Sequence, residues 1–129
     1  TIDLLYAVIW DGDALDTIVG YSDIYDTLLG PGQTAVILDA DYDGAYTIPS
    51  SALLLTTDDS AIASGLATSD TVSLYESDAA SLIDTYSHPS NPGNGVSVER
   101  VDLAAPDEES NWEASSCASG SSPGSLSCD

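Results

Sequence analysis

Two short apolar runs joined by an acidic turn constrain the fold of this chain more than any other feature. The runs are residues 35–38 (AVIL) and 52–55 (ALLL), and the link between them begins with residues 39–44 (DADYDG). Unbroken apolar runs of this length, bounded by turn residues, are typical of strands that are buried on both faces. We therefore expect both runs to lie at the centre of a β structure, with a layer of protein on each side.

The rest of the chain repeats this pattern of short segments and turns. No segment keeps a helical period over ten or more residues, and residues 58–65 are predicted to form one helical turn, with Asp58 or Asp59 as its N-cap. The chain beyond Pro106 is predicted to be loop. The other predicted strands are residues 1–10, 16–21, 71–75, 81–86 and 96–101. Six to eight short strands with turns at this spacing predict an all-β protein built as a β-sandwich.

The charge of the chain is extreme. It has 22 acidic residues, a single basic residue (Arg100) and a formal net charge of −21. Nucleic acid is an unfavourable partner, because almost nothing here neutralises phosphates. Neighbouring carboxylates repel unless ions screen them, and the screening length falls from about 8 Å at physiological salt to about 3 Å near 1 M. The charge therefore predicts adaptation to salt for most of these residues, with divalent cation binding as the alternative.

The two cysteines indicate export. Cys117 and Cys128 lie in a Ser/Gly-rich tail, and a pair of this kind in a short exported chain is most simply a disulfide. Closing this loop is expected to stabilise the fold by roughly 2 to 3 kcal/mol. No apolar run approaches the length of a membrane span. We expect an extracellular or cell-surface protein with one domain, in which residues 1–105 form the sandwich and residues 106–129 form its C-terminal tail.

Several segments together resemble the bacterial lamin tail domain. They are residues 66–86 (LATSDTVSLYESDAASLIDTY), 95–102 (GVSVERVD), 111–112 (NW) and 122–124 (SPG), with further likeness at residues 2–4, 10–11 and 31–38. The likeness is in their order and spacing over nearly the whole chain. It implies an immunoglobulin-like sandwich without catalytic activity, in a mostly extracellular family. The two strands with which the family opens have no counterpart here, which implies an unpaired strand edge or an open groove.

One spacing is suggestive of metal chemistry. Asp39, Asp41 and Asp43, followed by Gly44, match the first half of a calcium-binding loop, which needs alternating oxygen ligands and a glycine at the sharp turn. The glutamate expected at the twelfth position is absent, since Ser50 stands there. A solvated acidic turn is therefore the favoured interpretation, and calcium is the alternative. A second and weaker cluster consists of Asp11, Asp13 and Asp16.

The remaining reactive side chains predict structure rather than catalysis. His88 is the only histidine and lies in a Pro-rich loop, which indicates a surface residue. No serine lies in a Gly-x-Ser-x-Gly turn, so a hydrolase is not expected. Arg100 is predicted to pair with nearby carboxylates such as Glu99 or Asp102. Trp112 is predicted to close one end of the sandwich.

Two functions follow as expectations, neither of which requires a cofactor. The first is a structural module that self-associates by strand complementation, into a fibre where the contact is head-to-tail. In that case the strand with Ile2, Leu4, Tyr6 and Val8 is predicted to sit in a neighbour's groove, whereas a tail that folds back on its own domain would leave a monomer. The second is a calcium-assisted binding module that recognises surface glycans or another protein.

The charge yields a first prediction about ions. If screening alone matters, NaCl and CaCl₂ at matched ionic strength should raise the melting temperature equally. If Asp39, Asp41 and Asp43 form a site, submillimolar calcium should raise it further, and Asp41→Asn should abolish that extra rise. A melting temperature that responds to neither ion would contradict both interpretations of the charge.

Overall fold

The computed structural model describes residues 1–22 and 26–128, so the last residue of the predicted tail lies outside it. Over the described residues the chain contains ten β-strands, a single 3-10 turn at Glu109–Asn111 and no α-helix. The strands are β1 (Ile2–Asp3), β2 (Val8–Trp10), β3 (Leu15–Gly20), β4 (Leu28–Leu29), β5 (Ala35–Ile37), β6 (Leu53–Thr57), β7 (Val72–Tyr75), β8 (Leu82–Tyr86), β9 (Val98–Arg100) and β10 (Trp112–Ala114). The prediction of an all-β protein is confirmed.

Six of these strands form one mixed sheet. Its order is β5-β6-β3-β2-β7-β8, and every neighbouring pair is antiparallel except β5 and β6, which are parallel. The other strands form two antiparallel pairs, β1 with β4 and β9 with β10. Strand β5 therefore lies at one edge of the main sheet and β8 at the other.

The core is built from short aliphatic side chains, since the sequence has no Phe and no Met. Its centre is the buried cluster of Leu4, Ala7, Ile9, Ile18 and Leu55, of which Ile18 and Leu55 are fully buried. Half-buried side chains from β1, β4, β5 and β7 pack around this cluster. Each fully buried Leu or Ile contributes about 1.5 to 3 kcal/mol. The N-terminal segment therefore supplies three of the five central core residues.

The prediction of one strand over residues 1–10 is wrong. The chain turns between β1 and β2, where Asp3 accepts a hydrogen bond from the main-chain N–H of Leu5 and Tyr6 adopts a φ of 64°. An Asp side chain bonded two residues ahead is a turn-forming arrangement that competes with a strand. As a result Leu4 and Val8 are buried, whereas Tyr6 is 59% exposed.

The two central apolar runs differ in their surroundings. Strand β6 is an interior strand, and its Leu53, Leu55, Thr56 and Thr57 are all buried, as the sequence predicts. Strand β5 is half-buried throughout, because a neighbouring strand covers only one of its edges. The prediction of a strand buried on both faces is confirmed for β6 and wrong for β5.

The predicted helical turn over residues 58–65 is also wrong. Asp58 does not cap a helix. Its main-chain N–H donates to the carbonyl of Thr17 at 3.0 Å, and its carboxylate accepts from the N–H of Thr17 at 3.1 Å. The segment thus continues the pairing of β6 with β3, and the following residues form bends and a turn.

The predicted hairpin is confirmed. Strands β7 and β8 pair antiparallel, and Val72 and Leu74 face the core as their alternation predicts. Strand β9 confirms the last predicted strand. The chain after it is not all loop, because β10 pairs with β9. The buried side chain of Asn111 holds the connection between β9 and β10 in place, because it forms hydrogen bonds with main-chain groups of Asp102, Ala105 and Pro106.

The last part of the C-terminal tail, residues 117–128, folds back on the rest of the domain. The disulfide between Cys117 and Cys128 is confirmed, with the two Cα atoms 5.4 Å apart. Ser97 donates its main-chain N–H to the carbonyl of Gly120 at 2.9 Å, and the hydroxyl of Thr34 donates to the carbonyl of Gly124 at 2.6 Å. These bonds hold the tail against the segments that lead into β5 and β9.

Tail packing gives a second prediction. Gly120 and Gly32 both have positive φ, 88° and 73°, so alanine at either position strains the backbone by about 1 to 2 kcal/mol. A Cβ at Gly120 would fall 1.9 Å from the carbonyl oxygen of Gly95, whereas one at Gly32 would meet nothing within 4 Å. Gly120→Ala should therefore lower the free energy of unfolding by about 1 to 3 kcal/mol more than Gly32→Ala, measured by urea denaturation. Equal losses would contradict close packing of the tail.

Candidate functional site

An open groove of about 640 Å³ lies beside β5, and we term it the β5 groove. Strand β5, the segment around β9 and the tail form its walls. Its apolar lining consists of Val36, Ile37, Leu38, Tyr46, Val101, Leu103, Pro123 and Leu126. Four of these, namely Tyr46, Val101, Leu103 and Leu126, are 53%, 54%, 63% and 73% exposed. Such a concentration of exposed apolar side chains marks an interaction surface.

In the described part of the chain, the main chain of β5 has a neighbouring strand only on the side of β6. The main-chain carbonyl of Thr34 accepts a hydrogen bond from the N–H of Leu53, and the N–H of Leu38 donates to the carbonyl of Leu55. In a strand, the main-chain groups of alternate residues point toward the same neighbouring strand. Those of Thr34, Val36 and Leu38 therefore face β6, and those of Ala35 and Ile37 point outward. Within residues 1–22 and 26–128, no second strand pairs with β5. The groove therefore offers main-chain donors and acceptors beside exposed apolar side chains.

The opposite edge of the main sheet is protected. On β8, the carbonyl of Thr85 accepts from Arg100 at 3.4 Å, and its N–H donates to the carboxylate of Asp84 at 2.8 Å. Arg100 and Asp84 form a bidentate ion pair with distances of 3.0 and 3.2 Å. A charged pair over an edge strand blocks the approach of another strand. Strand β5 is the more accessible of the two edges.

The predicted partners of Arg100 are wrong. Successive side chains of a strand point to opposite faces, so Glu99 faces away from Arg100, and Asp102 lies beyond the end of β9. Arg100 instead reaches across to Asp84. Its guanidinium carbon also lies 4.9 Å from the ring centre of Trp112, the residue paired opposite it on β10.

Trp112 and His88 both lie in this same region. The Trp112 ring packs edge-on against Tyr86 with ring centres 4.7 Å apart, and its Nε1 donates to Asp107 at 2.8 Å. His88 is partly exposed at the surface, and its Nε2 lies 3.3 Å from the carbonyl oxygen of Asp107. Burial alone would raise the pKa of Asp107, but hydrogen bonds from Ser87 and Trp112 lower it below the usual value. These side chains join β8 to β10.

The acidic turn after β5 binds its own main chain. Asp39 accepts from the N–H of Asp41 at 2.9 Å, and Asp43 accepts from the N–H of Ala45 at 3.1 Å. In the described part of the chain, no three His, Cys, Asp or Glu side chains come together in a group that could hold a metal ion. Calcium binding by these residues stays a prediction.

The second acidic cluster contains two buried carboxylates. Asp11 is 3% exposed and accepts from the N–H groups of Asp13, Ala14 and Ser64, and also from the Ser64 hydroxyl, which lowers its pKa well below the usual range. Asp16 is 7% exposed and accepts from the N–H of Ala63, and burial raises its pKa. Together they hold the loop after β6 against the turn between β2 and β3.

Comparisons with known proteins add no relative. Neither the models of known protein families, nor curated proteins, nor solved structures give a match to this chain. Within the described residues, no helix is long and apolar enough to cross a membrane. The geometry of the described residues defines a class of protein only: an all-β protein in which one edge of the main sheet lies beside an apolar groove.

The two buried aspartates give a third prediction. The pKa of Asp16 is raised, so its contribution to stability falls as pH rises through its titration range. Asp16→Asn keeps an acceptor for the N–H of Ala63 and removes the buried charge, and should raise the melting temperature at pH 7. The pKa of Asp11 is lowered, so its contribution is present above pH ~4 and is lost as pH falls through its lower folded value.

Asp11→Asn should therefore lower the melting temperature at pH 7, because an amide has only one acceptor oxygen for the four donors. Thermal denaturation of both variants from pH 3 to pH 8 provides the measurement. A lower melting temperature for Asp16→Asn, or a neutral Asp11→Asn, would contradict these roles.

Proposed function

We propose that this chain is a non-catalytic, exported structural module that self-associates by strand addition at the β5 groove. One observation carries the proposal, namely the unpaired edge of β5 beside the exposed apolar side chains of the groove. An unpaired edge is a template for another strand, and strand addition is an established mode of recognition. Export is supported by the disulfide between Cys117 and Cys128.

The fold in this proposal is an immunoglobulin-like sandwich. Its support is the sequence resemblance to the bacterial lamin tail domain together with the largely antiparallel strand pairing.

The groove has a physical reason to be filled. Exposed apolar area is stabilised by about 25 cal/mol per Å² when it is buried, and outward main-chain groups gain partners when a strand is added.

The strand donor foreseen from sequence is less suitable than a preformed strand edge. Leu4 and Val8 are buried in the chain's own fold, so the segment that carries Ile2, Leu4, Tyr6 and Val8 would have to leave that core to serve a neighbour. Removing a buried leucine from a core costs about 2 to 5 kcal/mol. The tail folds back on its own domain and forms one wall of the groove, and no strand among residues 1–22 and 26–128 pairs with the outer side of β5.

A second candidate function is the calcium-assisted binding module, with a surface glycan or a protein as its partner. It is favoured by the rings of Tyr42 and Tyr46, which stack with centres 5.8 Å apart beside the carboxylates of Asp39, Asp41 and Asp43. Aromatic faces beside carboxylates suit the apolar and hydroxyl faces of a sugar. The calcium melting experiment with Asp41→Asn tests the metal part of this candidate.

The fourth prediction tests self-association. Because copies of charge −21 repel, the protein should associate more strongly as NaCl rises from ~0.1 M to ~1 M. Leu103→Asp places a charge in the β5 groove and should weaken association at least tenfold, by about 1.4 kcal/mol, in sedimentation velocity.

Leu66→Asp is the matched control, since Leu66 is 49% exposed and is absent from the groove lining. It should associate like the unmodified protein. A chain that sediments as a monomer at high concentration and at every salt concentration would refute the proposed function.

A further inference from the structure

Resting on the proposed self-association, we infer that its contact is a two-fold dimer in which β5 of one copy pairs antiparallel with β5 of a second copy. The two-fold axis passes beside Val36. The occupant of the β5 edge is thus another copy of this chain and not an unfolded donor segment.

The first support is the charge of this face. The β5 groove shares lining residues with three further cavities: one beside the disulfide, one beside the turn before β5, and one at the acidic turn after β5, where Asp39, Asp41 and Asp43 lie. The described residues that line the groove and the first two of these cavities include two charged ones, Glu99 and Arg100, and Arg100 is already paired with Asp84. Apart from the acidic turn at the end of β5, this face of a chain with 22 acids therefore carries one carboxylate without a basic partner, that of Glu99. Two copies meet least repulsion where both present such a face.

The second support is the main chain of β5. In the inferred register, Ala35 of one copy lies opposite Ile37 of the other, and these are the residues whose main-chain groups point away from β6. Opposed residues of this kind exchange two hydrogen bonds, and the two-fold axis repeats the pair. All the outward groups of both strands then gain partners. The exposed side chains of Val101, Leu103 and Leu126 from both copies border the same seam.

The third support is the position of the nearest acids. Antiparallel pairing about Val36 places Asp39 opposite Gln33 of the other copy, so carboxylates do not face each other. The two Asp39 residues are then about 20 Å apart at ~3.3 Å per residue, well beyond the screening length of ~8 Å at physiological salt. A register centred on Ala35 would pair Ile37 with Gln33, whose N–H is already bonded to the carbonyl of Gly30 at 3.1 Å. In the Val36-centred register, all of the new hydrogen bonds are made by main-chain groups of β5, which among the described residues are free to make them.

The fifth prediction tests this register by cross-linking. Val36 lies opposite itself in a non-hydrogen-bonded pair, where Cα atoms are about 4.5 Å apart, within the range of about 4.4 to 6.8 Å that a disulfide spans. Val36→Cys should therefore form a covalent dimer in oxidising buffer at ~1 M NaCl. Mass spectrometry of non-reduced peptides should place the new bond between position 36 of one copy and position 36 of the other, with the Cys117–Cys128 bond unchanged. Leu28→Cys, at a 48% exposed position on β4, should remain largely monomeric and is the control.

A second pair of variants keeps the test valid if the new cysteine perturbs folding. Ala35→Pro removes an outward N–H and leaves the ladder to β6 intact, so it should weaken dimerisation at least tenfold. Ala35→Ser keeps the N–H and should dimerise like the unmodified chain. Circular dichroism checks that both variants remain folded.

The outcomes separate the two proposals. A cross-linked dimer that Ala35→Pro weakens supports the two-fold contact. Self-association of the unmodified protein without a bond at position 36, and without an effect of Ala35→Pro, overturns the two-fold contact and leaves the proposed function standing. A protein that never self-associates overturns both.

Discussion

A chain with 22 carboxylates and one guanidinium has to stabilise its acidic groups almost entirely without cations. It does so with main-chain N–H groups and hydroxyls. Asp3 accepts from Leu5, Asp78 accepts from Ala80 and Ser81, and Asp11 accepts from four donors. Hydrogen bonds to a charged acceptor are about twice as strong as neutral ones. Much of the architecture follows, because each such bond bends the chain locally, and these bends compete with helices and long strands.

Features that depend on neighbouring residues could be predicted from the sequence. The β7–β8 hairpin follows from alternation over a few residues, and the Cys117–Cys128 pair follows from composition. The all-β class follows from the lack of any helical period. The turn at Tyr6 was missed, although Asp3 two residues before Leu5 is a local signal for it. Alternating apolar residues outweighed that signal in the prediction of a strand.

Features that depend on distant contacts could not be predicted. Nothing local indicates that Arg100 reaches Asp84, or that Asp11 and Asp16 are buried against the loop that contains Ser64. The described residues contain an open groove, and the alternation of residues along the chain does not indicate where it lies. Its position beside β5 was not foreseen, because the run at residues 35–38 has the composition of an interior strand. The run lies at the edge because β6 is its one neighbouring strand among the described residues.

The placement of Arg100 has a consequence for proteolysis. Proteases of the trypsin type cleave after Lys or Arg, which must enter a pocket that holds a carboxylate. This sequence has no lysine, and its one arginine is paired in β9, with a side chain 15% exposed between Asp84 and Trp112. Digestion by such a protease therefore requires local unfolding of β9 and β10 first. Because this sequence has so few basic residues, its carboxylates bind main-chain N–H groups instead. For the same reason, trypsin-type proteases have one possible cleavage site in it, after the shielded Arg100.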